Sequence, residues 1–238
     1  MWEPWYFVYN GVDSRTMGVH VIKYPPIVLP PERLKYVTVP GRAGDLTQTE
    51  GSAIYDPYTK IMEVSNAKGF DLDRVTRWLR GRGTMIFGNE PKYAYDVDLG
   101  AECQLDKIIR GVWGGDLRIR TQPFKRLAIP EPDIELTADA TIYNPGDVPA
   151  YPRIVLKVID ENSHGCTLRI KNVRLYYSAV MNNFIADYDL KWLIDTEGIP
   201  VAGVMEGQYY PFQPGNNTFT CTWQTVNKVI ITPRWRFL

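Results

Sequence analysis

A mostly β protein built as two domains is what this sequence predicts, on three observations. Gly and Pro recur every few residues, 19 and 18 of them in 238, which favours short strands joined by turns over long helices. Aromatics are abundant, with Tyr the commonest at 15, and such residues suit pleated, half-buried surfaces. A single core becomes uneconomical at this length. The stretch Ala128-Ile129-Pro130-Glu131-Pro132-Asp133, with Pro on both sides of Glu131, reads as a stiff linker. It divides 1–130 from 131–238.

The elements follow in order. Trp2 to Tyr9 is aromatic-rich and runs into Asn10-Gly11, the strongest short hairpin signal, so Thr16 to Ile22 is the expected partner strand. Pro25-Pro26 and Pro30-Pro31 bracket a loop that pairs poorly. Arg33 to Val39 alternates as a strand until Pro40-Gly41 stops it, leaving Arg42 and Asp45 on a Gly-flanked loop through Thr47. Ile54 to Val64 reads as a hairpin interrupted at Asp56-Pro57. One helix is expected, Leu72 to Arg80, with Asp71 as N-cap and Gly81 as C-cap. Leu72, Val75, Trp78 and Leu79 share its apolar face, while Arg74, Arg77 and Arg80 share the other. That basic stripe is either a solvated face or one that meets an acidic neighbour. Short strands return at Thr84 to Phe87, Lys92 to Leu99, Lys107 to Trp113 and Asp116 to Phe124, the last pair joined through Gly114-Gly115.

Beyond the linker, strands are expected at Ile134 to Tyr143, Arg153 to Ile159, Thr167 to Ile170, Val173 to Tyr177, Phe184 to Ile194, Asn217 to Trp223 and Val226 to Arg236. Regular short strands of this kind make a sandwich or a jelly roll. No internal repeat or heptad pattern occurs, which argues against solenoids and fibres.

Charge and motifs narrow the function. Lys plus Arg and Asp plus Glu both total 27, so no global field exists to hold a polyanion by counterion release. Cys103, Cys166 and Cys221 lack C-x-x-C spacing and read as free thiols. The opening residues lack a secretory signal pattern and no apolar run is long enough to span a membrane, so a soluble chain made in the cytoplasm is expected. His20 and His164 are the two histidines and fall on opposite sides of the linker, which leaves structural roles as the simpler reading. Asp96/Asp98 and Asp187/Asp189 are i,i+2 carboxylate pairs that put both groups on one strand face. Such a face serves a cation or a glycosidase only with further ligands or an aromatic platform, and otherwise is solvated. Trp192, Trp223 and Trp235 raise a sugar-stacking surface as an alternative to core or interface packing. No phosphate loop is present; no cofactor, no metal and no catalytic residue is expected.

Taken together, Phe7-Val8-Tyr9-Asn10-Gly11-Val12-Asp13-Ser14, Met17-Gly18-Val19 and Val37-Thr38-Val39-Pro40-Gly41-Arg42-Ala43-Gly44 resemble the amino-terminal signature of siphophage distal tail proteins. Arg77-Trp78-Leu79, Gly83-Thr84-Met85-Ile86-Phe87 and Pro91-Lys92-Tyr93-Ala94-Tyr95 continue it in order. Asn144-Pro145-Gly146 with Pro149 and Pro152, then Phe212-x-Pro214-Gly215-Asn216-Asn217-Thr218 and Pro233-Arg234-Trp235, are similar to the family's galectin-like domain.

The resemblance implies a β-barrel or sandwich belt domain with one short helix over 1–130, forming a homohexameric ring, and a galectin-like β-sandwich over 131–238. It implies a structural, non-enzymatic hub of the virion tail tip that joins the tail tube protein to the baseplate hub or tail-associated protein. DNA passes its channel without sequence-specific binding, and tape measure and receptor-binding proteins are further candidate partners. The alternative is a host-glycan binding module of the tail tip. Sugar-binding residues of true galectins are not recognisable, so the domain name implies no activity. Candidate subunit-interface residues are Pro40, Gly41, Arg42, Asp45, Arg74 and Arg77.

Overall fold

The computed structural model describes residues 5–49, 54–67, 69–100, 104–159, 164–179, 183–201 and 205–238. The chain falls into two compact units, Met1–Ile129 with Leu238, and Pro130–Phe237.

The described residues of unit 1 form ten strands and one α-helix: β1 (Phe7–Tyr9), β2 (Val12–Asp13), β3 (Val19–Lys23), β4 (Leu34–Thr38), β5 (Asp45–Thr49), β6 (Tyr58–Asn66), α1 (Leu72–Trp78), β7 (Gly81–Phe87), β8 (Tyr93–Leu99), β9 (Asp106–Ile109) and β10 (Val112–Leu127). Eight of the strands form one curled antiparallel sheet in the order β2-β1-β7-β8-β10-β6-β3, with β9 paired to β10. The concave face carries Phe7, Tyr9, Met62, Val64, Met85, Phe87, Leu117 and Ile119, all buried in one cluster. Strand alternation puts them there. At seven residues α1 is too short to persist alone. Burial of Val75 and Leu79 in the same cluster holds it, and Trp78 stacks on Phe7 with ring centroids 5.5 Å apart.

Unit 2 contains β11 (Ile134–Leu136), β12 (Ala140–Asn144), β13 (Arg153–Val158), β14 (His164–Ile170), β15 (Val173–Ala179), β16 (Phe184–Asp187), β17 (Trp192–Asp195), β18 (Met205–Gly207), β19 (Gly215–Cys221) and β20 (Val226–Thr232). They form two five-stranded sheets, β11-β20-β13-β16-β17 and β12-β19-β14-β15-β18. Inward-facing Ile154, Leu156, Val229 and Ile231 of one and Leu168, Leu175, Tyr177 and Phe219 of the other are buried. Tyr177 meets Phe184 edge-on across the two layers at 5.2 Å. The protein is mostly β with one short helix, and unit 2 is a β-sandwich.

Several local expectations change. Asn10 and Gly11 do make the turn, both at positive φ (49° and 77°), as a two-residue hairpin requires. The partner is the two-residue β2, because Asp13 accepts the Arg15 amide at 2.8 Å and starts a 3-10 turn, Ser14–Met17. Residues Val19 to Lys23 then pair with β6 instead. Ile54 to Val64 is not a hairpin. Tyr55 bridges Glu32, Pro57 ends that pairing by lacking an amide N–H, and β6 runs unbroken from Tyr58. The helix ends at Trp78 with Leu79 as its C-cap, and Gly81 begins β7 instead of capping.

Gly114-Gly115 is no turn either, since β10 runs straight through it and the turn is Arg110-Gly111. A Cβ on Gly115 would lie 2.0 Å from the Gln104 carbonyl oxygen, so close backbone approach is what demands glycine there. In unit 2, Ile134 to Tyr143 splits between the two sheets. Phe184 to Ile194 folds into a hairpin because Asp187 accepts the amides of Asp189 and Leu190, each at 3.1 Å, as an Asx-turn does. Pro233 follows the end of β20, and the short strands Asp45–Thr49 and Met205–Gly207 add to the expected set. Cys103 lies outside the described residues. Cys166 and Cys221, remote in sequence, come within 3.8 Å as free thiols.

Gly115→Ala is expected to lower stability by about 1–3 kcal/mol through overpacking against Gln104. An unchanged urea midpoint would show that the approach of the two backbones is not tight.

Candidate assembly surface

The exposed feature of unit 1 is a hairpin that its own core does not support. Among the described residues, β4 and β5 pair only with each other, in register from Leu34↔Thr49 to Thr38↔Asp45. Every residue of β5 is exposed, and Tyr36 on β4 is 64% exposed. Pro40 and Gly41 occupy the central positions of its turn. Gly41 has φ 82° and the Arg42 amide donates back to the Val39 carbonyl at 3.1 Å. Proline pre-sets the first central position and glycine tolerates the positive φ of the second, as a type II turn requires.

Arg42 is exposed at the tip. Asp45 opens β5 rather than lying in a loop, and its Oδ1 accepts the Thr38 hydroxyl at 2.8 Å. An isolated two-stranded hairpin is marginally stable in water, and exposed Tyr36, Val39 and Leu46 add apolar area that solvent does not favour.

Arg74 and Arg77 sit elsewhere in unit 1, on the exposed face of α1. Asp71 caps that helix through the amides of Asp73 and Arg74, and the Arg77 Nε donates to the Asp73 carbonyl at 3.0 Å. Sequence pattern placed these arginines on the solvent side correctly. It missed the apolar residues of the hairpin, whose exposure depends on which strands pair and not on spacing.

The carboxylate pairs are occupied by arginine. Asp98 meets Arg82 at 3.3 Å and Asp96 meets Arg126 on the outer face of unit 1. Asp187 ends β16, Asp189 lies beyond it, and they pair with Arg234 and Arg236 at 2.8 and 2.7 Å. Asp187 is buried. Burial raises its pKa, but the Arg234 guanidinium and the Leu190 and Asp189 amides lower it further, and the net shift is downward. Two chain segments are clamped by that carboxylate, which is a structural use of the group. Among the described residues no three His, Cys, Asp or Glu side chains gather as a metal site. His20 stands on β3 opposite Ser65, and His164 opens β14 opposite Ala179.

Two of the three tryptophans are committed inside unit 2. Trp223 Nε1 donates to Asp139 at 2.6 Å, and Trp235 is buried with its Nε1 on Glu131. Trp192, 58% exposed on an edge strand, is the one left open to solvent.

Asp187→Ala is expected to cost about 2–4 kcal/mol, since it strands Arg234 and two amides. A depressed carboxyl pKa contributes stability above the unfolded value near 4 that is lost as pH falls through the folded value. Urea midpoints measured from pH 6 down to pH 2 should therefore fall less steeply in the variant. Identical pH profiles would remove the clamp.

No protein-family model matches the sequence, and no curated protein is significantly similar to it. Among solved structures, the chain is similar to the SPP1 Dit (gp 19.1) protein, described as a paradigm of the hub adsorption apparatus in phages that infect Gram-positive bacteria. The two share 14% identity and a TM-score of 0.76, over 99% of this chain and 100% of that one. Along its whole length, the chain has the Dit fold.

Proposed function

We propose that this protein is a structural hub of a long non-contractile phage tail tip, non-enzymatic, in which six copies form a ring joining the tail tube to the baseplate hub and leaving a channel for DNA. The observation that carries this reading is the Dit fold over 99% of the chain. Its location would be the virion tail tip, with tail tube and baseplate hub proteins as partners and unit 2 as the galectin-like part.

The hairpin supports the same reading. A ring is built from head-to-tail contacts in which one patch of each copy meets a different patch of the next. An arm that its own core leaves uncovered is suited to that use: Val39 and Leu46 lie on one face of it and Tyr36 on the other, and covering the apolar area they still expose would contribute about 25 cal/mol per Å². Pro40 and Gly41 would fix the tip, Arg42 and Asp45 would make polar contacts across the boundary, and Arg74 and Arg77 would face acidic groups of a neighbour. Balanced charge, 27 of each sign, allows like copies to approach without strong net repulsion.

Light scattering of the purified chain, alone and with its tail tube and hub proteins, tests this. Arg42→Glu combined with Leu46→Asp is expected to leave the free energy of unfolding within about 0.5 kcal/mol of the wild type, as surface changes do, while lowering ring formation at least about tenfold. A chain that stays monomeric in every mixture, or a double variant that assembles as the wild type does, would sink the proposal.

A further inference from the structure

Unit 1 buries a lysine where an aliphatic side chain would pack. Alternation along β6 turns Lys60, Met62 and Val64 toward the core, and Lys60 is 2% exposed. Its ammonium lies 5.0 Å from the ring centroid of Tyr95 and 5.6 Å from those of Tyr58 and Phe87. Aromatic faces of this kind attract a cation. Glu90 is the acidic group near it, but that carboxylate is also engaged by Lys125 at 3.5 Å and by the Tyr95 hydroxyl at 2.7 Å. Burial lowers the Lys60 pKa, Glu90 raises it and Lys125 lowers it, for a net downward shift. An apolar residue would avoid the cost of desolvating a charge.

What the lysine supplies instead is a donor. Lys60 Nζ hydrogen-bonds the Pro26 carbonyl at 3.3 Å. Pro26 belongs to the strap Tyr24-Pro25-Pro26-Ile27-Val28-Leu29-Pro30-Pro31, which enters the arm. Four prolines in eight residues remove the amides that strand pairing would use. Pro25 and Pro30 are buried, while residues 26–29 are exposed, with Ile27 at 69% and Leu29 at 73%. At its far end the Pro31 carbonyl accepts the Asp56 amide and the Arg33 amide donates to Ile54, each at 2.9 Å. β4 begins at the next residue, Leu34.

We propose that Lys60 is a positioning residue, a latch whose ammonium holds the proline strap at Pro26 and thereby fixes the root of the β4–β5 arm. The strap cannot secure itself through a β ladder, so a side chain reaching out of the core does so. The consequence for assembly rests on the ring reading above; the order of the strap does not.

Lys60→Met in the full-length protein keeps an unbranched side chain as far as Cε and removes the donor. Hydrogen exchange should then accelerate about tenfold at the Arg33 and Asp56 amides, which report the strap, with Met62 and Val64 in the sheet unchanged. Ring formation should weaken in parallel. Unchanged exchange at Arg33 and Asp56 in a folded variant overturns the latch, whatever happens to assembly. Faster exchange in a protein whose wild type never assembles upholds the latch and removes only the ring reading. Should the variant fail to fold, NMR on the wild type decides: slowly exchanging Lys60 ammonium protons with a nuclear Overhauser contact to the Ile27 amide uphold it, and their absence overturns it.

Discussion

Backbone hydrogen bonding along β10 is the constraint on which unit 1 depends. Residues Val112 to Leu127 pair with β9 over Val112 to Gly114, with β6 over Gly114 to Thr121, and with β8 over Arg120 to Leu127. One strand therefore joins both halves of the sheet. Gly114 and Gly115 let neighbouring backbone and side chains approach at its start. Near its end the register shifts between Thr121 and Lys125, at the bulge that holds Pro123. A proline there omits a donor the ladder does not need. With the core closed around β10, the strap and the β4–β5 arm are what the sheet leaves outside.

That division shows why the fold was more legible than the site. Period-two alternation and turn chemistry located most strands, and Asp71 with Val75, Trp78 and Leu79 located the helix. Each of those signals is local. The errors arise where two local readings compete and tertiary contact decides between them. Gly-Gly fits a turn or a close approach, and Gln104 selects the second. After Asn10-Gly11 the chain fits a long strand or a short one, and Asp13, which ends β2 and accepts the Arg15 amide, selects the second. Asp187 sits in a run that reads as one long strand, until its carboxylate gathers two amides and folds the chain back.

Function followed the same pattern. Spacing alone left Asp187 and Asp189 open to catalysis, but it could not show that Arg234 and Arg236, some 47 residues away in sequence, take them both. Buried Lys60 gave no signal either, because a lysine in an alternating strand reads as an outward residue. The exposed hairpin tip was legible from Pro40-Gly41, whereas the strand that returns from it, Asp45 to Thr49, was not. Its weak apolar pattern is the pattern of a strand with no core of its own to face.

The central claim is that an arm unsupported in its own chain is supported by the next copy in a ring. An electron cryomicroscopy image of the assembled tail tip tests it most directly. The account predicts six copies around an open channel, with the turn Pro40 to Arg42 and the hairpin face that carries Val39 and Leu46 seated on the adjacent copy. A ring in which that arm projects into solvent, or a tail tip in which this chain does not form a ring, would contradict it.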